Sequence, residues 1–181
     1  MSETATLVPG RSCEGCTLCC KLIWVPPLNK PRMVYCEHCK IDQGCGIYET
    51  RPDCCRDWFC AYRRDASLGE EWKPAICGMT VDFDAGANRI NVCVDEGRFH
   101  VWREEPYYSR IKAMALDILR RRGHLIVWEG FEGIGVLPHA EVRLGRPKPN
   151  QVVVAGRRVD GNGEEFLIGV FDRDDPRLKP P

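Results

Sequence analysis

The residues of this chain best suited to chemistry are its 12 cysteines, ten of which fall between Cys13 and Cys60. Cys13, Cys16, Cys19 and Cys20 form a CxxCxxCC array in Cys-Glu-Gly-Cys-Thr-Leu-Cys-Cys. Two intervening residues allow a tight turn to aim both sulfurs of a CxxC pair at one ion, with backbone amides nearby to stabilise the thiolates. A second cluster follows: Cys36 and Cys39 in Cys-Glu-His-Cys, Cys45 in Gln-Gly-Cys-Gly-Ile-Tyr, then Cys54, Cys55 and Cys60 in Arg-Pro-Asp-Cys-Cys-Arg-Asp-Trp-Phe-Cys. Ligands drawn from such distant segments would tie the whole region together, and metal binding at a small thiolate site is itself folding free energy.

These residues resemble the CxxCxxCC family, described as zinc- or iron-chelating domains, over about Cys13 to Tyr62. Members carry the array and later Cys-x-x-(Cys or Leu), Gly-Cys-x-Ile-Tyr-x-x-Arg-Pro-x-x-Cys-Arg and a final cysteine. The matching positions here are Cys36, Cys39, Gly44, Cys45, Ile47, Tyr48, Arg51, Pro52, Cys55, Arg56 and Cys60. Cys54 corresponds to no family cysteine, and Cys39 matches only those members that have cysteine there. The resemblance implies metal binding and names no reaction. It leaves nine thiolate ligands: Cys13, Cys16, Cys19, Cys20, Cys36, Cys39, Cys45, Cys55 and Cys60.

Nine thiolates exceed the four of a closed zinc site, so more than one ion is expected. Zinc is preferred for its closed four-thiolate sites; iron, alone or as an iron–sulfur cluster, is the alternative, because CxxCxxC with a distant fourth cysteine also suits a cluster. Each tetrathiolate zinc carries a formal charge of about minus two, which Arg51, Arg56, Arg63 and Arg64 could offset. His38 lies between Cys36 and Cys39 and is left out of the ligand set, since its use would turn Cys39 away. Cys77 and Cys93 share no ligand spacing with the cluster and read as buried or half-buried free thiols. His100, His124 and His139 are isolated, and nothing reads as a phosphate-binding loop, a nucleophilic triad or a paired-carboxylate site. A binding module is therefore favoured over an enzyme; an iron redox protein and a purely structural metal staple are the competing readings.

Composition narrows the partners. Lys plus Arg and Asp plus Glu both total 26, so no net field draws nucleic acid or an anionic membrane over long range. The opening Met-Ser-Glu-Thr-Ala-Thr-Leu-Val-Pro-Gly-Arg has no apolar signal core, and no later run approaches the ~20 apolar residues of a membrane span. A cytoplasmic protein is expected, and in that reducing compartment clustered thiols read as metal ligands before disulfides. A protein partner, if any, would dock through the C-terminal region.

The elements that must position these residues divide near residue 75, into a Cys-rich region 1–75 and an α+β region 76–181 with a small antiparallel sheet and one amphipathic helix. The first region is irregular: a short strand at Lys21 to Val25, a stiff loop at Pro26, Pro27 and Pro31, and one or two helical turns between Arg51 and Cys60. It is expected to bury too little apolar surface to fold on that alone. The second region begins with a hairpin in which Val81 and Phe83, then Ile90, Val92 and Val94, alternate about a turn at Ala85 to Asn88, and one face of which is buried. Tyr107 to Arg122 predicts a helix with Ile111, Ala115, Ile118 and Leu119 on one side, Glu104 and Glu105 before it, and Arg120 to Arg122 closing onto Gly123. Strands are predicted at His124 to Trp128 and Ile134 to Leu137, then a late hairpin of Val152 to Val159 and Glu165 to Phe171 around Asp160, Gly161, Asn162 and Gly163. Trp102, Tyr107, Tyr108 and Trp128 are expected to pack between helix and sheet.

Overall fold

The computed structural model describes residues 7–160 and 163–178, and the fold is α+β. Two compact units emerge: the described residues up to Asp82 together with Cys93–Val101, and Phe83–Val92 together with the described residues from Trp102 onward.

The first unit is built from very short elements. α1 (Leu18–Leu22), β1 (Cys39–Lys40), β2 (Gly44–Cys45), α2 (Asp53–Arg56), α3 (Ala61–Arg64) and α4 (Pro74–Cys77) are joined by turns and single 3₁₀ turns. Lys21 to Val25, expected as a strand, instead begins as the end of α1, because Leu18 and Leu22 stand four residues apart and both are buried. Only Val25 keeps a strand-like contact, an isolated bridge to Lys30. The Arg51 to Cys60 stretch holds the single turn of α2. The unit also has more apolar core than its sequence suggests: Leu22, Leu68, Trp72, Cys77 and Met79 are almost fully buried. Arg11 adds a clamp, donating hydrogen bonds to the carbonyls of Tyr62, Asp65 and Leu68 while its guanidinium stacks over the Tyr62 ring.

β3 (Met79–Asp84) and β4 (Arg89–Val94) form the expected hairpin. Its burial does not follow one face. Met79, Thr80 and Val81 are consecutive and buried, as are Val92, Cys93 and Val94, whereas Phe83, next to the turn, is 55% exposed. The root of the hairpin is covered on both faces and its tip is not, so the alternation expected to bury Phe83 fails there.

α5 (Tyr107–Arg120) is the longest helix, and its buried residues are Tyr107, Ile111, Ala115, Ile118 and Leu119. They pack against β5 (His124–Glu129) and β6 (Glu132–Val136), where Leu125, Ile126, Val127, Ile134 and Val136 are buried. The helix ends at Arg120, and the chain turns away from it through Arg122, which takes the left-handed conformation at φ 61°. Gly123 follows because a Cβ there would lie 2.3 Å from the Asn88 carbonyl oxygen. A strand absent from the sequence reading, β7 (Glu141–Gly145), completes a five-stranded sheet of order β3-β4-β5-β6-β7. β6 runs antiparallel to both β5 and β7.

β8 (Gln151–Asp160) and β9 (Gly163–Asp172) form a separate two-stranded ribbon, in register from Gln151 opposite Asp172 to Asp160 opposite Gly163. Gly161 and Asn162, expected at its turn, lie outside the described residues. Ile168 of β9 fills the space above Gly135, where a Cβ would come within 2.8 Å of its side chain. The aromatic residues are packed: Trp102 is fully buried and donates to Glu129 Oε1, and Trp128 donates to Asn91 Oδ1. Among the described residues no helix is long and apolar enough to cross a membrane.

Candidate metal centre

Short-range turns bring the cysteines together. Gly15, at φ 66°, lets the chain turn so that the Cys16 amide donates to the Cys13 carbonyl at 3.0 Å. Cys19 and Cys20 lie in α1, and the Cys20 carbonyl accepts from the Cys36 amide at 2.9 Å, which fastens the second cysteine cluster to the first. Cys39 donates to the Cys36 carbonyl, and β1 and β2 place Cys39 opposite Cys45. The buried Thr17 holds this knuckle to the start of α1, its Oγ1 accepting from the Asp42 amide at 3.3 Å. Cys55 lies in α2 and Cys60 immediately precedes α3.

Eight of the nine expected ligands line one cavity of about 450 Å³: Cys13, Cys16, Cys19, Cys20, Cys36, Cys45, Cys55 and Cys60. Cys39 is not on that wall but is hydrogen-bonded to Cys20. All 12 cysteines are free thiols. Cys54 is exposed, with its side chain against that of Cys55. Cys77 and Cys93 are buried away from the cavity wall. Cys77 donates to the Met79 carbonyl at 3.2 Å, and Arg32 donates to Cys93 Sγ at 3.6 Å.

Electrostatic neighbours divide the thiols in two. Cys13, Cys16 and Cys60 face one another, with Arg63 Nη1 3.9 Å from Cys13 Sγ. Cys20, Cys36, Cys39 and Cys55 form the other constellation, with Cys19 beside Cys20. Burial, opposed by a hydrogen bond from the Arg63 amide and reinforced by Cys13 and Cys16, pushes Cys60 up to about 11. Burial and the neighbouring Cys20 push Cys39 up to about 11, and burial and Cys54 do the same for Cys55. For Cys20 the hydrogen bond with Cys19 raises the thiol more than burial does. Crowded thiols disfavour one another's ionisation, and a cation among them reverses that balance.

Lys30 was not legible as part of the site. It is 4% exposed, donates to the carbonyls of Lys21 and Ile23, and lies in the field of Cys20, Cys36, Cys19 and Cys55. Burial lowers its pKa and those thiols oppose the shift. Of the arginines expected to balance charge, Arg63 approaches a thiol, while Arg51 donates to the carbonyls of Tyr48 and Cys55, Arg56 to that of Arg51 and Arg64 to that of Asp57. His38 is not on the cavity wall, and its imidazole lies 3.6 Å from Glu37.

Among the described residues, no group of three or more His, Cys, Asp or Glu side chains is gathered closely enough to hold a metal ion as it stands. The thiols line the wall of a cavity instead of meeting at a point. The donor set nevertheless fits a thiophilic ion in its chemistry, combining soft sulfur ligands with buried or half-buried cations. Compared with family models, with curated proteins and with solved structures, the chain matches none.

Proposed function

We propose that this chain is a cytoplasmic metal-binding protein that holds zinc, in more than one ion, through its clustered cysteine thiolates, and that it sequesters or delivers the metal. The observation that carries this reading is the convergence of eight cysteines, distant in sequence, on one cavity. Cys13, Cys16 and Cys60 would serve one part of the centre, and Cys19, Cys20, Cys36, Cys39, Cys45 and Cys55 the other. The resemblance to the CxxCxxCC family supports the same ligands. Zinc would supply the positive charge that lets crowded thiols ionise together, and it would cross-link their segments. Arg63 and Lys30 offset part of the remaining negative charge.

Binding requires the thiols to move together from the cavity wall. The short elements that carry them, none longer than the five residues of α1, allow such movement more readily than a long strand or helix would. The α+β unit is the part proposed to meet a protein partner, and the β8–β9 ribbon leaves Val159 and Leu167 exposed for it.

Anaerobic titration of the reduced, metal-free protein with cobalt(II) tests this reading. Thiolate-to-cobalt absorption that saturates near two equivalents supports it. Cys16→Ser and Cys45→Ser should each lower the signal. Saturation without thiolate absorption contradicts it.

A further inference from the structure

The two parts of the centre differ in what surrounds their sulfurs. Cys20, Cys36, Cys39 and Cys55 lie in one another's field, Cys19 is hydrogen-bonded to Cys20, and Cys45 stands opposite Cys39. These thiols outnumber the four that close a zinc site, and the buried cation among them is Lys30. Cys13, Cys16 and Cys60 fall one short of four and have more positive surroundings. The amides of Leu18 and Ala75 donate to the Cys16 sulfur, and that of Arg63 donates to Cys60. Lys73 acts on Cys16, and the Arg63 guanidinium acts on Cys60 while its Nη1 lies 3.9 Å from Cys13 Sγ.

Among the described residues no fourth sulfur is placed to complete the smaller set. Cys77 lies in the field of Cys16, but it is fully buried and its thiol donates to the Met79 carbonyl at 3.2 Å and the Trp72 carbonyl at 3.6 Å. Ionised, that sulfur would face two carbonyl oxygens and lose both donations, so Cys77 is held as a thiol. Cys19 is engaged with Cys20.

Charge points the same way. A zinc ion with three thiolates carries a formal charge of about minus one, and the two cations Arg63 and Lys73 more than offset it. The buried Nε of Arg63 has no partner among the described residues, so no carboxylate at that atom offsets its charge. A zinc site with three protein ligands keeps a fourth position for a ligand from outside, and positive surroundings favour an anion there. Next to sulfur donors on a thiophilic ion, soft sulfur is preferred over a carboxylate.

We infer that the ion at Cys13, Cys16 and Cys60 keeps its fourth position for a thiolate from outside the chain, which makes it the exchanged ion, while the Cys20 part closes over a retained one. The inference rests on the metal-binding reading and adds to it the class of ligand that meets the metal. A thiol entering this position gives its proton to solvent and shares a sulfur electron pair with the ion; nothing is oxidised or reduced.

The test uses the full chain, loaded anaerobically with cobalt(II), freed of excess metal and titrated with 2-mercaptoethanol or, as control, ethylene glycol. Bound cobalt is measured in every sample. The expected result is new thiolate-to-cobalt absorption that saturates at about one thiol per chain, with no change on adding ethylene glycol. Lys73→Met should weaken the thiol by about threefold or more, and Lys73→Arg should restore most of the loss. Cys60→Ser should abolish the thiol step and leave the absorption of the Cys20 part, whereas Cys77→Ala should keep both. In a second arm the end-blocked peptide Gly-Cys-Gly replaces 2-mercaptoethanol. Binding of both supports the inference with a partner's cysteine as the source; binding of the small thiol alone supports it with a free thiol as the source. A protein that holds its cobalt with a spectrum unmoved by 2-mercaptoethanol overturns the inference and leaves the metal-binding reading standing. Unchanged thiol affinity in Lys73→Met overturns it too, as does loss of one ion from folded Cys77→Ala, which would make Cys77 the fourth ligand. Protein that binds no cobalt overturns the metal-binding reading itself, and the inference with it.

Discussion

The two units reach burial by different routes. In the unit containing α5, a continuous helical stripe of Ile111, Ala115, Ile118 and Leu119 meets strands whose Leu125, Ile126, Val127 and Val136 are almost fully buried. In the cysteine-bearing unit the elements are a few residues long, and order comes from scattered anchors such as Leu22, Leu68 and Trp72 with the Arg11 and Lys30 clamps. One unit is held by periodic packing, the other by isolated tethers around a thiol-walled cavity. A protein that must admit and release an ion gains from the second arrangement, because short tethered segments rearrange without dismantling a helix or sheet.

The sharpest break between the units comes from core truncation. Ile111→Ala removes a fully buried side chain and should cost about 2–5 kcal/mol in denaturant unfolding. Its metal content should be unchanged. Cys36→Ser should do the reverse, lowering bound metal while leaving the unfolding of the α5 unit in place. Equal loss of metal from both variants would erase the distinction.

A pH series comes next. Burial and the nearby Arg89 hold His124 down to about 4, opposed by Asp84, and its buried Nε2 has no partner among the described residues. The folded state therefore binds fewer protons than the unfolded state between about pH 6.5 and 4. The stabilisation is complete above about pH 6.5 and is lost as pH falls through that window, on the order of 3 kcal/mol. Urea midpoints of the parent should fall more steeply over this range than those of His124→Gln; parallel curves would contradict the assignment.

Metal removal separates delivery from a folding staple. The buried anchors of the cysteine-bearing unit lead us to expect that a chelator strips the ions while Trp72 and its neighbours stay protected from proteolysis and hydrogen exchange. Melting of that unit on chelation would favour the staple. The smallest effect belongs to the hairpin tip: Phe83→Ser, at an exposed position, should shift stability by no more than about 0.5 kcal/mol.

Much of the α+β unit was legible because its side chains repeat at the period of their element. α5, the β3–β4 turn, β5 and β6 follow such patterns. β7 was not legible, since Glu-Val-Arg-Leu-Gly offers only Val142 and Leu144 as apolar residues and its pairing with β6 includes a register shift. Lys21 to Val25 misled because Ile23 and Val25 favour strand, while the deciding pair, Leu18 and Leu22, lies mostly before it. At the candidate site, residue type and spacing marked the cysteines. The cavity's apolar wall was hidden, because Ile23, Trp58 and Pro74 adjoin only once the chain has folded. Lys30 was hidden too: a lysine among Asn-Lys-Pro-Arg gives no sign that its ammonium will be buried against carbonyls.

Elemental analysis with an absorption spectrum, on protein purified anaerobically without added metal, tests the central claim most directly. The account predicts about two zinc ions per chain and no visible colour. Iron with acid-labile sulfide would replace the zinc assignment with a redox centre. Protein free of metal, with all its thiols open to alkylation, would contradict the claim.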